Sequence, residues 1–230
     1  MTSSRPIDGT VFEAVLFDMD GTLVASTPAV NRSWARWGRE QGLPENFRDT
    51  VGHGKPAGEI AAELLPADRV DEGAARIQAI EIEEIHDVTM LPGANEALDA
   101  VPGERKAIVT SCSTPLAEAR MEAAGVHRPA TIVTASDIVH GKPDPEPFLL
   151  GATRLGVDPT RVLVVEDAPA GLQSGRAAGM TTLAVVGTHE ANELEADLVI
   201  DTLELVRFVP VDGGVRVEIV EKGTPRPARA

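Results

Sequence analysis

Val11-Phe12-Glu13-Ala14-Val15-Leu16-Phe17 runs directly into Asp18-Met19-Asp20-Gly21-Thr22-Leu23. The first seven residues read as one buried β-strand, and two acids one residue apart stand at its end. An ionised carboxylate in a low-dielectric site needs a metal, a cation or several hydrogen bonds to stay charged. Asp18 and Asp20 are therefore expected to be used, and the usual uses are a hard metal ion and covalent chemistry.

Downstream, strands and helices alternate. Residues 94–100 read as a short helix, 106–109 as a strand ending at Thr110-Ser111, and 114–124 as a helix closed by Gly125. A short strand at 131–133, a helix at 145–155, a strand at 161–165, a helix at 169–178 and a strand at 181–186 follow. Arg161-Val162-Leu163-Val164-Val165 is continuously apolar after its first residue, the mark of a sheet covered on both faces. Such alternation predicts an α/β fold with a Rossmann-like parallel sheet.

Residues 25–90 break the pattern. Helices are expected at 28–42, with Pro28 in the first turn and Gly42 and Pro44 as the stop, then at 57–65 and 68–88, with no strand. We read this stretch as an inserted α-helical cap. The core then comprises 1–24 and 91–208. Val209–Val211 and Val215–Ile219 around Asp212-Gly213-Gly214 read as a C-terminal β-hairpin, 209–220. The tail, 221–230, carries proline, glycine and charge and is expected to be disordered.

Composition narrows the function. The formal charge is −15, aromatic content is 3% and tyrosine is absent. No basic cluster or stacking platform suggests nucleic acid. No apolar run approaches the ~20 residues of a membrane span. The polar first nine residues lack a signal-peptide core, and the single cysteine, Cys112, fits a reducing cytoplasm. A monomer or weak dimer is expected. So acidic a chain repels anions at long range, so an anion site must be built locally.

Ligands of open parallel sheets bind beyond the C-terminal strand ends. Asp18 and Asp20, Thr110 and Ser111, Lys142, and Glu166 with Asp167 all fall at such ends or in adjoining loops. Oxygen ligands at short range favour magnesium, which shares a substrate phosphate. A carboxylate can attack phosphorus, a lysine can offset the anionic repulsion, and a second acid can protonate the leaving oxygen and then activate water.

These residues resemble a family. Asp18-Met19-Asp20-Gly21-Thr22-Leu23, Thr110, Lys142 within Gly141-Lys142-Pro143-Asp144-Pro145, and Glu166-Asp167-Ala168-Pro169-Ala170-Gly171 are similar, in order, to the four signatures of the haloacid dehalogenase-like phosphohydrolases. The resemblance covers about residues 11–200. It implies Asp18 as nucleophile, Asp20 as general acid/base with its carbonyl on the metal, and Thr110 with the Ser111 N–H as the phosphoryl holders. It further implies Lys142 as the neutralising cation, Asp167 as a Mg2+ ligand and Glu166 at the metal's edge. Asp20 favours phosphoryl transfer over dehalogenation. The mutase relatives carry a cap histidine where this chain has Val30, which favours hydrolysis.

The second, third and fourth signatures look most like those of small sugar- and polyol-phosphate phosphatases, and Gly52-His53-Gly54-Lys55 resembles their substrate loop. The expectation is a Mg2+-dependent phosphomonoesterase acting on a small phosphate ester. The alternatives are a β-phosphoglucomutase-like mutase and a non-catalytic phospho-ligand binding protein. Individual residues keep plainer readings. Asp167 could cap the helix near Pro169, and His53 and Lys55 could contact substrate or be solvated. Trp34 and Trp37 are read as cap packing rather than a sugar platform, and Cys112 as a small buried thiol rather than a nucleophile.

Overall fold

In a computed structural model that describes residues 7–47 and 56–220, the first strand-like run is divided between two sheets. Val11–Phe12 (β1) pairs antiparallel with Gly214–Ile219 (β11), whereas Ala14–Phe17 (β2) enters a parallel sheet. Glu13 is the hinge between them. Its N–H donates to Arg161 O (2.8 Å), and its carbonyl accepts from Arg105 Nη1 (2.9 Å). The single strand expected over 11–17 is therefore corrected to two. The partner of Val11 and Phe12 lies some 200 residues away, out of reach of local pattern.

Between β2 and the rest of the core come Val24–Ala25 (β3), helices Thr27–Gln41 (α1), Ala57–Leu64 (α2) and Val70–Glu83 (α3), and Thr89–Met90 (β4). The core then runs through Ala94–Ala100 (α4), Lys106–Val109 (β5), Thr114–Ala124 (α5), Ile132–Val133 (β6), Glu146–Leu155 (α6), Val162–Glu166 (β7), Pro169–Ala177 (α7) and Thr181–Val185 (β8). Leu198–Ile200 (β9) and Val206–Val211 (β10) precede β11. The central sheet has six strands, ordered β6-β5-β2-β7-β8-β9, all parallel. This is the expected α/β core with a helical cap and a C-terminal hairpin.

Both faces of β2 are covered, as its unbroken apolar sequence requires. Side chains alternate across a strand, so Val15 and Phe17 face one way and Ala14 and Leu16 the other. Val15 and Phe17 join Leu98 of α4, Leu116 and Met121 of α5 and the hairpin's Phe208, Val215 and Val217 in one core. Ala14 and Leu16 join Phe148 and Ala152 of α6 in a second. The cap has a core of its own around Trp34, Trp37, Phe47, Ile60, Ile77 and Ile80. Trp37 is fully buried there and donates Nε1–H to Gly73 O at 2.8 Å.

Four further differences are informative. The cap is not strand-free at its edges, because β3 and β4 pair antiparallel and close a neck where the cap leaves the core. The helix expected over 68–88 has α3 as its middle, with single 3-10 turns at Ala67–Arg69 and Ile85–Asp87. β9 had no expected counterpart. The hairpin strands are longer than expected, with Gly214 already paired and only Asp212-Gly213 turning the chain. The tail from residue 221 lies outside the described residues.

The hairpin docks by its inward face, with Phe208 packed edge-to-face on Phe17 at 5.7 Å between ring centres. Phe208→Ala should cost about 3–5 kcal/mol of stability by urea unfolding. Val139→Ala, at a position 81% exposed, should stay within about 0.5 kcal/mol of the wild type.

Candidate active site

The ends of β2, β5 and β7 are drawn together by one side chain. Lys142, in the loop before α6, is 2% exposed, and its Nζ reaches all three strand ends. It donates to Asp18 Oδ1 (2.5 Å), Val109 O (2.9 Å) and Glu166 Oε1 (3.1 Å). An ammonium has three N–H groups, and each has an acceptor. The Phe148 ring lies 5.0 Å from Nζ. Burial by itself would lower this lysine's pKa, but the Asp18 and Glu166 charges outweigh it and hold the pKa above its ordinary value.

Asp18 follows β2 and extends the sheet, its N–H donating to Val165 O at 2.8 Å. Glu166 ends β7 with both oxygens engaged. Oε1 meets Lys142, and Oε2 accepts from the N–H groups of Asp167 (2.7 Å) and Ala168 (2.6 Å) at the start of α7. Glu166, not Asp167, is thus the carboxylate at that helix end. Asp167 Oδ2 accepts from the backbone N–H and hydroxyl of Thr188, just beyond β8. The three carboxylates offer oxygens lying within 4.8 Å of one another. Two close approaches make room for them. A methyl at Gly21, whose φ is +87°, would collide with Asp167 Oδ2, and one at Gly171 would collide with Glu166 Oε1.

So tight a cluster is electrostatically strained without a counter-ion. Burial pushes the Asp18 carboxyl well above the usual range, with Lys142 opposing. Burial and the neighbouring Glu166 charge push Asp167 up to about 7. Three carboxylates against one ammonium leave a formal −2, which a divalent cation would cancel. Asp18 Oδ2 and Asp167 Oδ1 take no hydrogen bond among the described residues, so each aspartate keeps one oxygen for a ligand. An all-oxygen donor set of this kind suits a hard cation.

Asp20 sits across the cavity. Its Oδ1 accepts from Arg120 Nη1 (2.9 Å) and its Oδ2 from the Cys112 thiol (3.0 Å). Burial, reinforced by Asp20, pushes the Cys112 pKa up, so the sulfur keeps its proton and acts as a donor. Thr110 is buried at the end of β5, with its Oγ1 accepting the Cys112 N–H at 3.1 Å. These groups and Ser111 line a cavity of about 370 Å3 whose other wall is the cap, including Val30, Trp34, Gln78 and Glu81.

Asp18, Asp20, Thr110, Ser111, Lys142, Glu166 and Asp167 are thus brought to one cavity from four separate parts of the chain. His53 and Lys55 lie outside the described residues. Trp37 belongs to the cap core, whereas Trp34 both packs edge-to-face on Trp37 and borders the cavity. Sequence reasoning missed Arg120, Glu81 and Thr188. A faint signal existed for the first two. Each is a charged residue four positions after a buried apolar one, Leu116 and Ile77, and so falls on its helix's inward face.

Known proteins match this chain over most of its length. A family model described as haloacid dehalogenase-like hydrolase matches residues 12–179. The chain is 43% identical over 206 residues to hexitol phosphatase A of Escherichia coli (strain K12), covering 86% of this chain and 95% of that protein. It is 32% identical over 223 residues to glycerol-1-phosphate phosphohydrolase 2 of Saccharomyces cerevisiae, covering 90% and 88%. The crystal structure of a hydrolase from Pseudomonas syringae matches with a TM-score of 0.75 and 24% identity, over 83% of this chain and 94% of that one, a likeness of fold.

The raised carboxyls give the cation-free protein a pH signature. Asp167 binds its proton more tightly folded than unfolded, so its contribution to stability is fully present below the unfolded value near 4 and is lost as pH rises towards about 7. In chelator, the melting temperature should be lower at pH 7.5 than at pH 5. Added Mg2+ should raise it more at pH 7.5, and Asp167→Asn should flatten the dependence. An unchanged melting temperature across that window would contradict the assignment.

Proposed function

The chain belongs to the haloacid dehalogenase-like hydrolases, and from that premise we propose that it is a Mg2+-dependent phosphomonoesterase for a small sugar or polyol phosphate. The observation that carries this reading is the meeting of Asp18, Asp20, Thr110, Lys142 and Asp167 in one cavity roofed by the cap. The relatives' names supply the substrate class: hexitol phosphatase and glycerol-1-phosphate phosphohydrolase.

In the proposed reaction Asp18 attacks the phosphorus of the bound monoester. The bond to the ester oxygen breaks as Asp20 gives that oxygen its proton, leaving phospho-Asp18 and an alcohol. Asp20 then takes a proton from water, the water oxygen attacks phosphorus, and the bond to Asp18 breaks to release inorganic phosphate. Thr110 and the Ser111 N–H hold the phosphoryl oxygens. Lys142 orients Asp18 through Oδ1 and lessens its repulsion towards the anionic ester. Asp18, Asp167 and the Asp20 carbonyl would hold the metal, with Glu166 behind them on Lys142. When bound, Mg2+ supplies positive charge to the phosphoryl oxygens and cancels the excess of the buried acids.

Val30 borders the cavity and carries no group able to move a proton. Hydrolysis therefore fits this site better than return of the phosphoryl group to a sugar hydroxyl. The cap presents apolar and amide groups to the ester's other end, which suits a small polyhydroxyl body. His53 and Lys55 remain candidate substrate contacts.

Phosphate release from a panel of sugar and polyol phosphates, with and without Mg2+, tests the reading. Turnover should need the metal and yield one phosphate per ester without a sugar-phosphate isomer. Asp18→Asn should lose turnover by a factor on the order of 10^4 while keeping its fold. Near-wild-type activity would refute the nucleophile. Asp20→Asn should leave a slowly hydrolysed phospho-enzyme, heavier than the free chain by one phosphoryl group in the mass spectrum.

A further inference from the structure

Among the described residues, Arg120 is the cation in the cavity to which the proposed reaction gives no part. It lies on α5 of the core, and its side chain is 4% exposed. Its Nη1 donates to Asp20 Oδ1 (2.9 Å) and to Cys112 Sγ (3.1 Å). Its Nη2 donates to Glu81 Oε1 (3.0 Å), and the Glu81 side chain, on α3 of the cap, is 7% exposed. One planar guanidinium therefore holds the general acid/base with one nitrogen and the cap with the other.

We propose that Arg120 is a positioning residue that couples cap docking to the orientation of Asp20, with Glu81 as the cap's half of a two-ended clasp. The proposal rests on the phosphatase reading above and adds a pair of residues to it. A guanidinium is rigid and planar, so fixing one edge fixes the other. With Nη2 on Glu81, Nη1 has a single direction, and Asp20 is gripped between Nη1 and the Cys112 thiol. The carboxylate plane is thereby fixed at the cavity. The Arg120–Glu81 pair is buried and crosses from cap to core, so it forms only when the cap is seated. Lifting the cap would break this buried bond between cap and core and leave Arg120 with its Asp20 and Cys112 contacts alone among those described.

The test separates positioning from mere scaffolding by the leaving group. In an alkyl ester such as glycerol 1-phosphate the departing oxygen needs a proton, whereas in 4-nitrophenyl phosphate it leaves without one. kcat/KM reports the steps through the first phosphoryl transfer, so only the alkyl ester should register a misaligned Asp20. Arg120→Lys keeps the positive charge but loses the fork. The alkyl-to-aryl ratio of kcat/KM should fall at least tenfold, because well-placed general acids contribute about 10^2–10^4. Glu81→Gln, nearly isosteric and kept folded by the same packing, should lower the ratio in the same direction. Added to Arg120→Lys it should have no further effect on the ratio.

Equal losses on both esters, or a Glu81→Gln ratio within twofold of the wild type, would overturn the clasp. If Arg120→Lys does not fold, Glu81→Gln alone decides by the same threshold. A wild-type enzyme that releases phosphate from neither ester would instead overturn the phosphatase reading, and the clasp with it.

Discussion

Everything at this site depends on the buried ammonium of Lys142. Asp18 and Glu166 end neighbouring strands, and their carboxylates would repel each other across a dry gap. Lys142 lies between them and also takes the free carbonyl at the end of β5. The lysine is therefore structural and chemical at once. The contacts that let three strand ends converge are the contacts that fix Asp18 through Oδ1 at the cavity. Removing the ammonium would leave Val109 O without its donor, Asp18 without its cation and Glu166 held by the Asp167 and Ala168 N–H groups alone.

The surrounding backbone is shaped by the same constraint. Glu166 can reach both Lys142 and the α7 N–H groups only because position 171 has no side chain, and Asp167 fits beneath the first loop only because position 21 has none. The Gly21 conformation serves both purposes, since its left-handed φ also turns the loop so that its N–H meets Val24 O at 2.8 Å. That turn leads into β3 and the neck of the cap. The geometry of the acids and the point at which the cap leaves the core are thus set within a few residues of each other.

Much of this was legible because the relevant signals are local. The apolar run of β7 announced a sheet covered on both sides. Gly42, Gly125 and Gly156 stand in the left-handed conformation at the helix ends where the sequence expected stops. The acids and Thr110 followed strand ends that apolar runs could locate, whereas Lys142 stood in a loop and was marked by its resemblance to the family's third signature. What escaped was pairing over long separations. Nothing in Val11-Phe12 reveals that its partner is β11, so one strand was expected where there are two. Arg120 and Glu81 were missed because a charge on an inward helix face is a faint signal, and their meeting across 39 positions depends on how the cap sits. Thr188 is polar and follows a strand, and only the fold turns it towards Asp167.

The charge distribution gives the cap and the core different tasks. The chain as a whole carries −15, and the acid cluster adds to that excess at the point where a phosphate ester would have to bind. Among the described residues, the charged groups that could favour such a ligand are held by the core, in Lys142 and in the oxygens available to a cation. The cap wall contributes mainly apolar and amide surface, through Val30, Trp34 and Gln78. Its buried acid, Glu81, is paired with Arg120 of the core. In the proposed enzyme the core then supplies the affinity for the phosphoryl group, the same in every ester. Discrimination among sugars and polyols falls to contacts in the cap, where each well-placed or missing contact is worth about 1–3 kcal/mol. A cap built this way can change its preferred polyol through a few wall residues without disturbing the charge balance that the chemistry requires.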